Sequence, residues 1–407
     1  MADLELDVTG IAAGGDGVAH DAAGRVVFVP GAIPGDRVRA RLVVERARYA
    51  RGALEEVVDG APGRTEPPCP HVAEGCGGCG WQHIAHATQV ELKQRIVADA
   101  LRRIGRLDSP PPIDPGPALA PFGYRTSVRG LVAGGRFAYR RAASHDPVDA
   151  TGCLIAHPLV AELIDHGRFG AAAEVVLRAG VGTGERLAIV DPRAEGVTLP
   201  ADVAVVGLEE LRAGDEAAYH EVVAGRRWRI SARSFFQTRP DGAAALVDVV
   251  AAAVGRAIGG TDTVADLYCG VGLLAGTVGA DAATIVAVDG DRGSVADAEL
   301  NLAVLDAEVT VVRADVARWR PTPADIVVAD PARAGLGTEA VQRIAATGAD
   351  RVVLVACDPA SFGRDAGLLH AAGYRLGSAT LVDLFPHTPR IEVVGAFGRH
   401  PPMPGGP

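Results

Sequence analysis

The sequence contains no long hydrophobic run. No apolar stretch in its 407 residues reaches the roughly 20 residues that a membrane-spanning helix needs. Residues 1–10, MADLELDVTG, are acidic and hold no apolar signal core, so a cytoplasmic protein is expected. Hydrophobic residues still make up 48% of the chain, and its length suits two or three globular domains that bury a sizeable core.

Positive charge is also scarce. The formal net charge is −10, which argues against a nucleic-acid partner, and Lys93 is the only lysine. Arginine is nevertheless concentrated with aromatic residues in three stretches, residues 37–51, 124–141 and 225–239. Such stretches can bind phosphate and stack on unpaired bases. They could equally be exposed strand faces with their aromatics in the core, so charge alone leaves RNA or DNA binding open.

Cysteine is limited to six residues, at positions 69, 76, 79, 153, 269 and 357. A reducing cytoplasm disfavours disulfides. Metal binding and catalysis are therefore the first interpretations of these thiols.

Turn signals and strand patterns divide the chain into parts. Residues 1–60 read as short strands with glycine-rich turns, which predicts a small barrel. Residues 84–105 have a helical pattern, and residues 109–121 form a proline-rich loop. Residues 122–240 read mostly as strands. From about residue 241, strands alternate with helices, which predicts a parallel, doubly wound sheet with helices on both faces.

The first part also carries a recognisable pattern. It holds the paired glycines Gly14 and Gly15, the strand RVVFVPGAIPGDRV, and basic strands after it. This pattern resembles a TRAM domain. The resemblance implies an RNA-binding barrel of the oligonucleotide-binding type.

A glycine loop and a series of acids mark the C-terminal part. DLYCGVG, residues 266–272, follows a predicted strand and opens a helix, so its backbone can approach a ligand closely. Asp289 ends the next strand, and Asp315 and Asp330 follow later strands, which places acids where such sheets bind ligands. The acid-first pattern DxxxGxG is typical of S-adenosylmethionine enzymes. The alternative is a glycine-rich turn in a sheet that binds no nucleotide.

Cys357 lies in VVLVACDPASFGRD, residues 352–365, where a buried strand ends. A thiolate there could act as a nucleophile in the same crevice as Asp330. The strand pattern alone favours a different interpretation, since most free cysteines are small buried hydrophobic residues.

Three C-terminal segments reverse that preference. DPARAG, ACDPASFGRD and LFPHTPRIE, at residues 330–335, 356–365 and 384–392, resemble the signatures of the RNA uracil-5-methyltransferase family. Its members use S-adenosylmethionine to make 5-methyluridine in tRNA and 23S rRNA. SFFQT, residues 234–238, resembles the segment with which the family contacts the cofactor. The resemblance covers essentially the whole chain.

The resemblance implies covalent catalysis. Carbon 5 of uracil is a poor nucleophile, so Cys357 would add to carbon 6 and make carbon 5 nucleophilic enough to take the methyl group. Glu392, the residue at the position of the family's base, would then remove the proton on carbon 5 so that the thiolate can leave. Without the resemblance, Glu392 would read as an exposed charge on an ordinary strand. The target base must leave its stack, which loop RNA makes less costly.

The resemblance also implies a cofactor site. The residues that would line it are Gln237, Tyr268, Asp289, Asp315 and Asp330. The Asp330 carboxylate could additionally accept a hydrogen bond from the ring N–H of the target uracil.

Five positions depart from the family pattern. Leu273 and Arg239 stand where Asn is common, and Asp289 stands where Glu is common. Asp358 replaces the Asn usual after the catalytic cysteine, and Arg390 replaces a common His. None of these changes removes the nucleophile or the base, so they bear on fine contacts and on the choice of RNA.

Four cysteines form a set with three members close together, namely Cys69, Cys76, Cys79 and Cys153. A zinc knuckle more often shows two close pairs, whereas a three-plus-one pattern suits an iron–sulfur cluster. CGGCGWQH, residues 76–83, resembles the cluster segment of many rRNA-methylating members, although the first gap here is one residue longer. A structural 4Fe–4S cluster is expected. Zinc is the alternative, with His71 and His83 as reserve ligands, and Cys269 is expected simply to be packed.

These inferences predict an α/β enzyme in three parts. They are a TRAM barrel over residues 1–60, a mostly β central iron–sulfur domain over 61–232, and a doubly wound class I methyltransferase domain over 233–407. A monomer that methylates carbon 5 of a uridine in RNA is expected, with 23S rRNA favoured over tRNA because of the cluster segment. The alternatives are an RNA-binding or folding factor with dispensable catalysis, and a small-molecule methyltransferase, in which the barrel would lack a purpose.

Overall fold

The short N-terminal strands close into a barrel. A computed structural model describes residues 3–400. Five strands form the barrel: β1 (Asp3–Ile11), β2 (Gly17–His20), β3 (Val26–Val29), β4 (Arg37–Glu45) and β5 (Tyr49–Asp59). They pair in the order β1-β2-β3-β5-β4, and β4 returns to β1. Alternate side chains such as Leu6, Val27 and Val38 fill the interior, as the two-residue period of a strand requires.

Arginines on the outer face of the barrel form ion pairs with glutamates of neighbouring strands. Three β4 side chains pair with carboxylates of β1 and β5: Arg37 with Glu5 at 3.1 Å, Arg39 with Glu56 at 2.7 Å, and Arg41 with Glu55 at 2.7 Å. Such exposed pairs contribute only about 0–1 kcal/mol each to stability. The basic stretch 37–51 therefore presents less free positive charge than its sequence suggests.

The segment after the barrel contains a short 3-10 turn (Pro70–Val72), helix α1 (His86–Arg103) and strand β6 (Ile113–Pro115). The buried face of α1 holds Leu92, Ile96 and Leu101 at helical spacing. It also buries Gln89 and Lys93, which is unusual for such polar side chains.

The central part is a mixed six-stranded sheet with one covering helix. Its elements are β7 (Ser127–Ala133), β8 (Arg136–Arg140), β9 (Pro147–Asp149), α2 (Pro158–His166), β10 (Glu174–Ala179), β11 (Arg186–Asp191), β12 (Val203–Gly207) and α3 (Leu208–Ala213). The strand order is β12-β11-β10-β7-β8-β9. A separate hairpin follows, formed by β13 (Ala218–Val223) and β14 (Arg226–Ser231). Its Trp228 and Ile230 share a core with the C-terminal part, which ties the two parts together.

The C-terminal part is the doubly wound sheet that the alternating pattern predicts. Its elements are α4 (Pro240–Val254), β15 (Thr263–Leu267), β16 (Thr284–Asp289), α5 (Arg292–Leu302), β17 (Glu308–Arg313), β18 (Ile326–Ala329), α6 (Gly337–Thr347), β19 (Arg351–Ala356), α7 (Pro359–Ala371), β20 (Tyr374–Leu381) and β21 (Val393–Arg399). A second 3-10 turn spans Val316–Arg318. The order is β17-β16-β15-β18-β19-β21-β20-β6, with β21 antiparallel to its neighbours. The order in which strands are added to the sheet reverses between β15 and β18, and such folds bind ligands at this point.

Two elements from the middle of the chain join this sheet. Strand β6 pairs in parallel with β20, and α1 packs closely on α7, where a Cβ at Gly363 would lie 2.5 Å from the carbonyl oxygen of Ala100. The predicted barrel and doubly wound class I sheet are thus confirmed, while the domain boundaries stay a prediction. Within residues 3–400, no helix is long and apolar enough to cross a membrane.

Candidate active site and cysteine cavity

Three strand ends bring the predicted catalytic residues to one edge of the sheet. Ala356, the last residue of β19, pairs with Val393 of the antiparallel β21, so Cys357 and Glu392 come next to each other just beyond the paired region. On the other side of β19, Ala329 of β18 pairs with Leu354, and Asp330 follows at once. The sheet register therefore places the thiol between two carboxyl groups.

The two carboxyl groups strongly affect one another. Glu392 is buried, and burial followed by the charge of Asp330 raises the pKa of Glu392 well above its usual range. Burial of the Asp330 carboxyl raises its pKa too, although part of the residue remains exposed. Ionisation of both groups in one buried site is unfavourable because the two negative charges repel each other. The pair therefore retains a proton at neutral pH. A carboxyl group in this state can exchange protons with a bound substrate.

Cys357 is half-buried between them. Burial, and then the charges of Glu392 and Asp330, raises the pKa of the Cys357 thiol to about 11, whereas Arg333 acts in the opposite direction. In the free protein the sulfur is therefore a thiol. A nearby positive charge is needed to stabilise the reactive thiolate.

The glycine loop opens the neighbouring crevice. After β15 the backbone passes through Tyr268 (φ 62°), Gly270 (φ 55°) and Gly272 (φ 90°), left-handed conformations that glycine adopts without strain. A Cβ at Gly270 would meet nothing within 4 Å, so this residue borders open space. Asp289 accepts a hydrogen bond from the Gly270 N–H at 2.9 Å, which anchors the loop to the end of β16.

Asp289 is itself well placed for a ligand. Its second carboxylate oxygen accepts from the Asp291 N–H at 2.8 Å, so both oxygens are oriented by the backbone and keep lone pairs for further donors. A carboxylate in this position suits the two hydroxyls of a ribose. The open loop and the oriented acid fit an adenosyl cofactor.

The other predicted cofactor residues lie around the same edge. Tyr268 is half-buried, and burial followed by the charges of Asp315 and Asp365 raises its pKa to about 12. Asp315 follows β17 and accepts from the Ala317 N–H at 3.0 Å. Gln237 is half-buried in a segment that is fixed to α5 by a 2.6 Å hydrogen bond from Ser234 to Asp297.

Asp266, the first acid of the glycine loop, has a structural position. It is buried in β15, where one carboxyl oxygen accepts from the Ala275 N–H at 2.7 Å and the other has no hydrogen-bond partner. Burial, and then the charges of Asp330 and Asp289, raises the pKa of Asp266 to about 8. Asp266 thus anchors the segment after the glycine loop through the Ala275 N–H, and its raised pKa favours the neutral carboxyl group at pH 7.

Most of the residues that depart from the family pattern have a structural role here. Arg239 is fully buried, pairs with Asp241 at 2.6 Å and lies 4.5 Å above the ring of Tyr124. Leu273 is buried in the core, and Asp358 caps α7 by accepting from a backbone N–H. Arg390 differs from the others because its side chain is exposed and makes no ion pair within residues 3–400.

The cysteine set lines one cavity of about 590 Å³, whose thiols belong to Cys69, Cys76, Cys79 and Cys153. Burial and then the neighbouring thiols raise the pKa of Cys79 to about 12 and raise that of Cys76 as well. The thiols therefore interact with one another through space. Cys269 lies elsewhere, buried in the glycine loop.

The donor side chains around this cavity do not form a compact site for one ion. Among the described residues, no three His, Cys, Asp or Glu side chains are grouped closely enough to hold one metal ion. Both ring nitrogens of His71 already lie within hydrogen-bonding distance of Thr151 and Glu74, and His83 does not line the cavity. A Cβ added at Gly78 would lie 3.6 Å from the Cys76 sulfur, so this glycine borders the thiols. Four thiols around an open space match the ligand set of an iron–sulfur cluster.

Comparison with known proteins gives the family. Residues 3–54 match the TRAM domain, and residues 234–353 match the methyltransferase small domain. An uncharacterized RNA methyltransferase of Streptomyces avermitilis is 34% identical over 96% of this chain and 97% of its own length. Another, from Gloeobacter violaceus, is 35% identical over 97% of this chain and 96% of its own length. The chain belongs to this family of RNA methyltransferases.

A solved structure shows the same fold. It is that of the Pyrococcus abyssi tRNA (uracil-54, C5)-methyltransferase in complex with S-adenosyl-L-homocysteine. The TM-score is 0.74 at 22% identity, and the match covers 97% of this chain and 100% of that one. This likeness shows the fold, while the 34% and 35% identical relatives and the TRAM match confirm the RNA methyltransferase and TRAM assignments made from the sequence motifs.

Sequence reasoning missed the polar network that holds the loop between β20 and β21. This loop, residues 382–392, ends at Glu392, the predicted base, and is called the catalytic loop below. Lys93 donates to Asp383 at 2.6 Å and to the Phe385 carbonyl at 2.9 Å, and His86 lies 2.8 Å from the same Asp383 carboxylate. Gln89 accepts from the His387 N–H at 2.7 Å. One face of α1 thus fixes the loop that leads to Glu392. The only available signal was the single lysine in the sequence.

The same loop connects the two sites of the methyltransferase. Thr388, Pro389 and Arg390 line the cysteine cavity, and Glu392 follows two residues later. Trp81, close after the cysteine loop, donates its backbone N–H to the His387 carbonyl at 2.9 Å. A group bound in the cavity would therefore support the catalytic loop directly.

Proposed function

We propose that this RNA methyltransferase transfers a methyl group from S-adenosylmethionine to carbon 5 of a uridine in RNA. The observation that carries the proposal is the strand register that sets Cys357 beside Glu392, with Asp330 on the adjoining strand end. Nucleophile, base and a third polar group then face the substrate from one sheet edge. This is the arrangement that addition to carbon 6 and later loss of a proton from carbon 5 require.

In the proposed mechanism, Cys357 adds as the thiolate to carbon 6 of the uracil, which moves electron density to carbon 5. Bound S-adenosylmethionine supplies an electrophilic methyl group, and Gln237, Tyr268, Asp289 and Asp315 would hold it. Asp330 orients the uracil by accepting from its ring N–H. Glu392, in its ionised form, takes the proton from methylated carbon 5. The electron pair of that C–H bond re-forms the double bond between carbons 5 and 6, and the sulfur leaves as the thiolate. A buried carboxyl group with a raised pKa is a stronger base for this step than an exposed glutamate.

We infer that Cys69, Cys76, Cys79 and Cys153 hold a 4Fe–4S cluster. Its function is structural, because the cavity meets the barrel turn at Gly15 and the loop at Pro389. A Cβ added at Gly15 would lie 2.8 Å from both Pro389 and Trp81, so these three parts pack tightly beside the thiols. No step of methyl transfer involves the cluster.

We favour 23S rRNA as the substrate, because the segment CGGCGWQH resembles that of rRNA-methylating family members. The alternative is tRNA, on which the structurally similar Pyrococcus abyssi enzyme acts according to its name. The proposed enzyme is a cytoplasmic monomer. A factor that only binds or folds RNA would not need the Cys357–Glu392 pair.

A methyl-transfer assay tests the proposal. Anaerobically purified protein is incubated with labelled S-adenosylmethionine and separate pools of unmodified rRNA and tRNA, and 5-methyluridine is then counted by nuclease digestion and mass spectrometry. We expect signal in one pool, which disappears with Cys357→Ala while RNA binding remains. Silence in both pools, with RNA still bound, would support the binding-factor alternative instead.

A further inference from the structure

Three arginines stand around the opening of the active site. Arg333 follows Asp330 by three residues in the loop between β18 and α6, and Arg390 precedes Glu392 by two. Both side chains are exposed. Arg125, just before β7, is half-buried and lines the same cavity as Arg390. The three come from different parts of the sequence, and Arg390 lies close enough to Arg125, Arg333 and Cys357 to interact electrostatically with each.

None of the three arginines is neutralised. Throughout residues 3–400, no carboxylate forms an ion pair with Arg125, Arg333 or Arg390, and the Arg125 side chain donates only to the Ser127 carbonyl, at 3.1 Å. Three arginines on the outer face of the barrel, Arg37, Arg39 and Arg41, are in contrast each paired with a glutamate. Arg125, Arg333 and Arg390 therefore keep their positive charge available to a ligand.

The three charges also repel one another. Burial, and then the charges of Arg333 and Arg125, lowers the pKa of Arg390. The nearby pair of carboxyl groups, Asp330 and Glu392, retains a proton and so offsets only part of this charge. A group of like charges without a counter-ion is unfavourable until an anion binds between them.

We propose that Arg125, Arg333 and Arg390 form a phosphate-binding site that holds the RNA backbone on both sides of the target uridine. This inference rests on the proposed function. A flipped base reaches Cys357 only if its flanking phosphates pass over the opening, and the planar guanidinium fork matches phosphate oxygens. Binding there would hold the nucleotide in its extruded position.

A cluster in the cysteine cavity is the other anion within reach of Arg125 and Arg390. It does not account for Arg333, which does not line that cavity. The exposure of Arg333 and Arg390 also favours a ligand that arrives from solvent. RNA phosphate explains all three positions together.

The test is the salt dependence of RNA binding. Affinity for a fluorescein-labelled stem–loop RNA with uridines in its loop is measured by anisotropy over a range of KCl concentrations, for wild type, Arg333→Gln, Arg390→Gln and Arg390→Lys. The matched control is Arg256→Gln. Arg256 is exposed, pairs with Asp262 and precedes β15, so it lies at the amino ends of the strands, away from the active site. Iron content and thermal unfolding are recorded for each protein.

Each Gln variant at the phosphate site should weaken binding by about tenfold, because a charged hydrogen bond is lost. The slope of log Kd against log [KCl] should fall by about 0.7 to 1 for each. Arg390→Lys should keep the wild-type slope, and Arg256→Gln should match wild type.

Unchanged slopes in both Gln variants would overturn the proposal. So would an Arg390→Gln protein that loses iron while its RNA slope stays constant, since the arginine would then serve the cluster. Failure of the proposed function gives a different pattern, because wild type would form no 5-methyluridine although the Gln variants still reduced the slope.

Discussion

Cys357 sits in surroundings that keep its sulfur protonated. The sulfur lies at the end of a buried strand beside Glu392 and Asp330, and these neighbours disfavour the thiolate. Arg333 is the cation that opposes them. The two carboxyl groups interact strongly, because they share a buried site. In the proposed mechanism, this one local environment would set the protonation of both the nucleophile and the base.

Glu392→Gln tests the base. The amide cannot accept the carbon 5 proton, so turnover should fall by at least about a hundredfold, the usual effect of losing a general base. The methylated covalent protein–RNA complex should accumulate, visible as a band that migrates slowly in a denaturing gel. Glu308→Gln, an exposed change at the start of β17, serves as the control and should behave like wild type. Full turnover by Glu392→Gln would remove this residue from the mechanism.

The raised pKa of Cys357 predicts a clear pH dependence. Below a pKa of about 11 the thiolate fraction rises about tenfold with each pH unit. Iodoacetamide alkylation of Cys357 in the free protein, followed by peptide mass spectrometry, should therefore accelerate from pH 7 to pH 10 without a plateau. Arg333→Gln removes the opposing cation and should slow the reaction at every pH. A plateau near pH 8 would contradict the assigned environment.

At the scale of elements, helix α1 holds the catalytic loop in place. Its buried polar face reaches across to Asp383, Phe385 and His387, while its apolar face joins the core beneath α7. Lys93 is fully buried, and burial lowers its pKa while Asp383 raises it. The ion pair with Asp383 therefore opposes the loss of the ammonium charge that burial favours.

Lys93→Met should be strongly destabilising. It leaves a buried Asp383 with His86 as its remaining side-chain partner, and breaking a buried pair typically costs about 3–5 kcal/mol. Urea unfolding measures the change. Arg103→Met removes one cation from the exposed face of the same helix and should cost about 0–1 kcal/mol, since its pair with Asp99 is on the surface. Equal stability losses in the two variants would contradict the role of Lys93.

The elements differ in how far the sequence predicts them. The alternating strands and the glycine turn after β15 follow from local patterns, and they were predicted correctly. The helix expected to open at DLYCGVG was wrong, because residues 270–281 form a run of turns between β15 and β16. The pairing of β6 with β20 could not be predicted, because a three-residue strand carries no register information. Lys93 and Asp383 are 290 residues apart, so their contact had no local signal. The free and paired arginines also look alike in sequence, since partners come from neighbouring strands.

For the whole molecule, the cysteine cavity is the junction of its three parts. Gly14 of the barrel, the cysteines of the central part, and Pro389 of the methyltransferase part all line it. Motif spacing predicted the four thiols as one set, and the structure brings them to one cavity. That this cavity borders the catalytic loop depends on the packing of distant segments, which spacing does not encode.

Loss of the bound group should therefore loosen the catalytic loop. Cys79→Ser replaces one of the two buried cavity cysteines, Cys69 and Cys79, which are each 9% exposed. The variant should contain little iron, and amide hydrogen exchange at residues 387–390 should rise by about tenfold, a local loss of about 1.4 kcal/mol. Cys269→Ala, a buried cysteine outside the cavity, should keep its iron and its exchange rates. Retained iron in Cys79→Ser would contradict the ligand assignment.

The covalent step is the central claim, and trapping it is the most direct measurement. RNA that contains 5-fluorouridine has no removable proton on carbon 5 once methylated, so the enzyme should stop as a stable adduct. Mass spectrometry of the digested complex should find a methylated fluorouridine nucleotide on the peptide that carries Cys357, only when S-adenosylmethionine is present. Methylation of ordinary RNA with no adduct, or an adduct on another cysteine, would contradict the account.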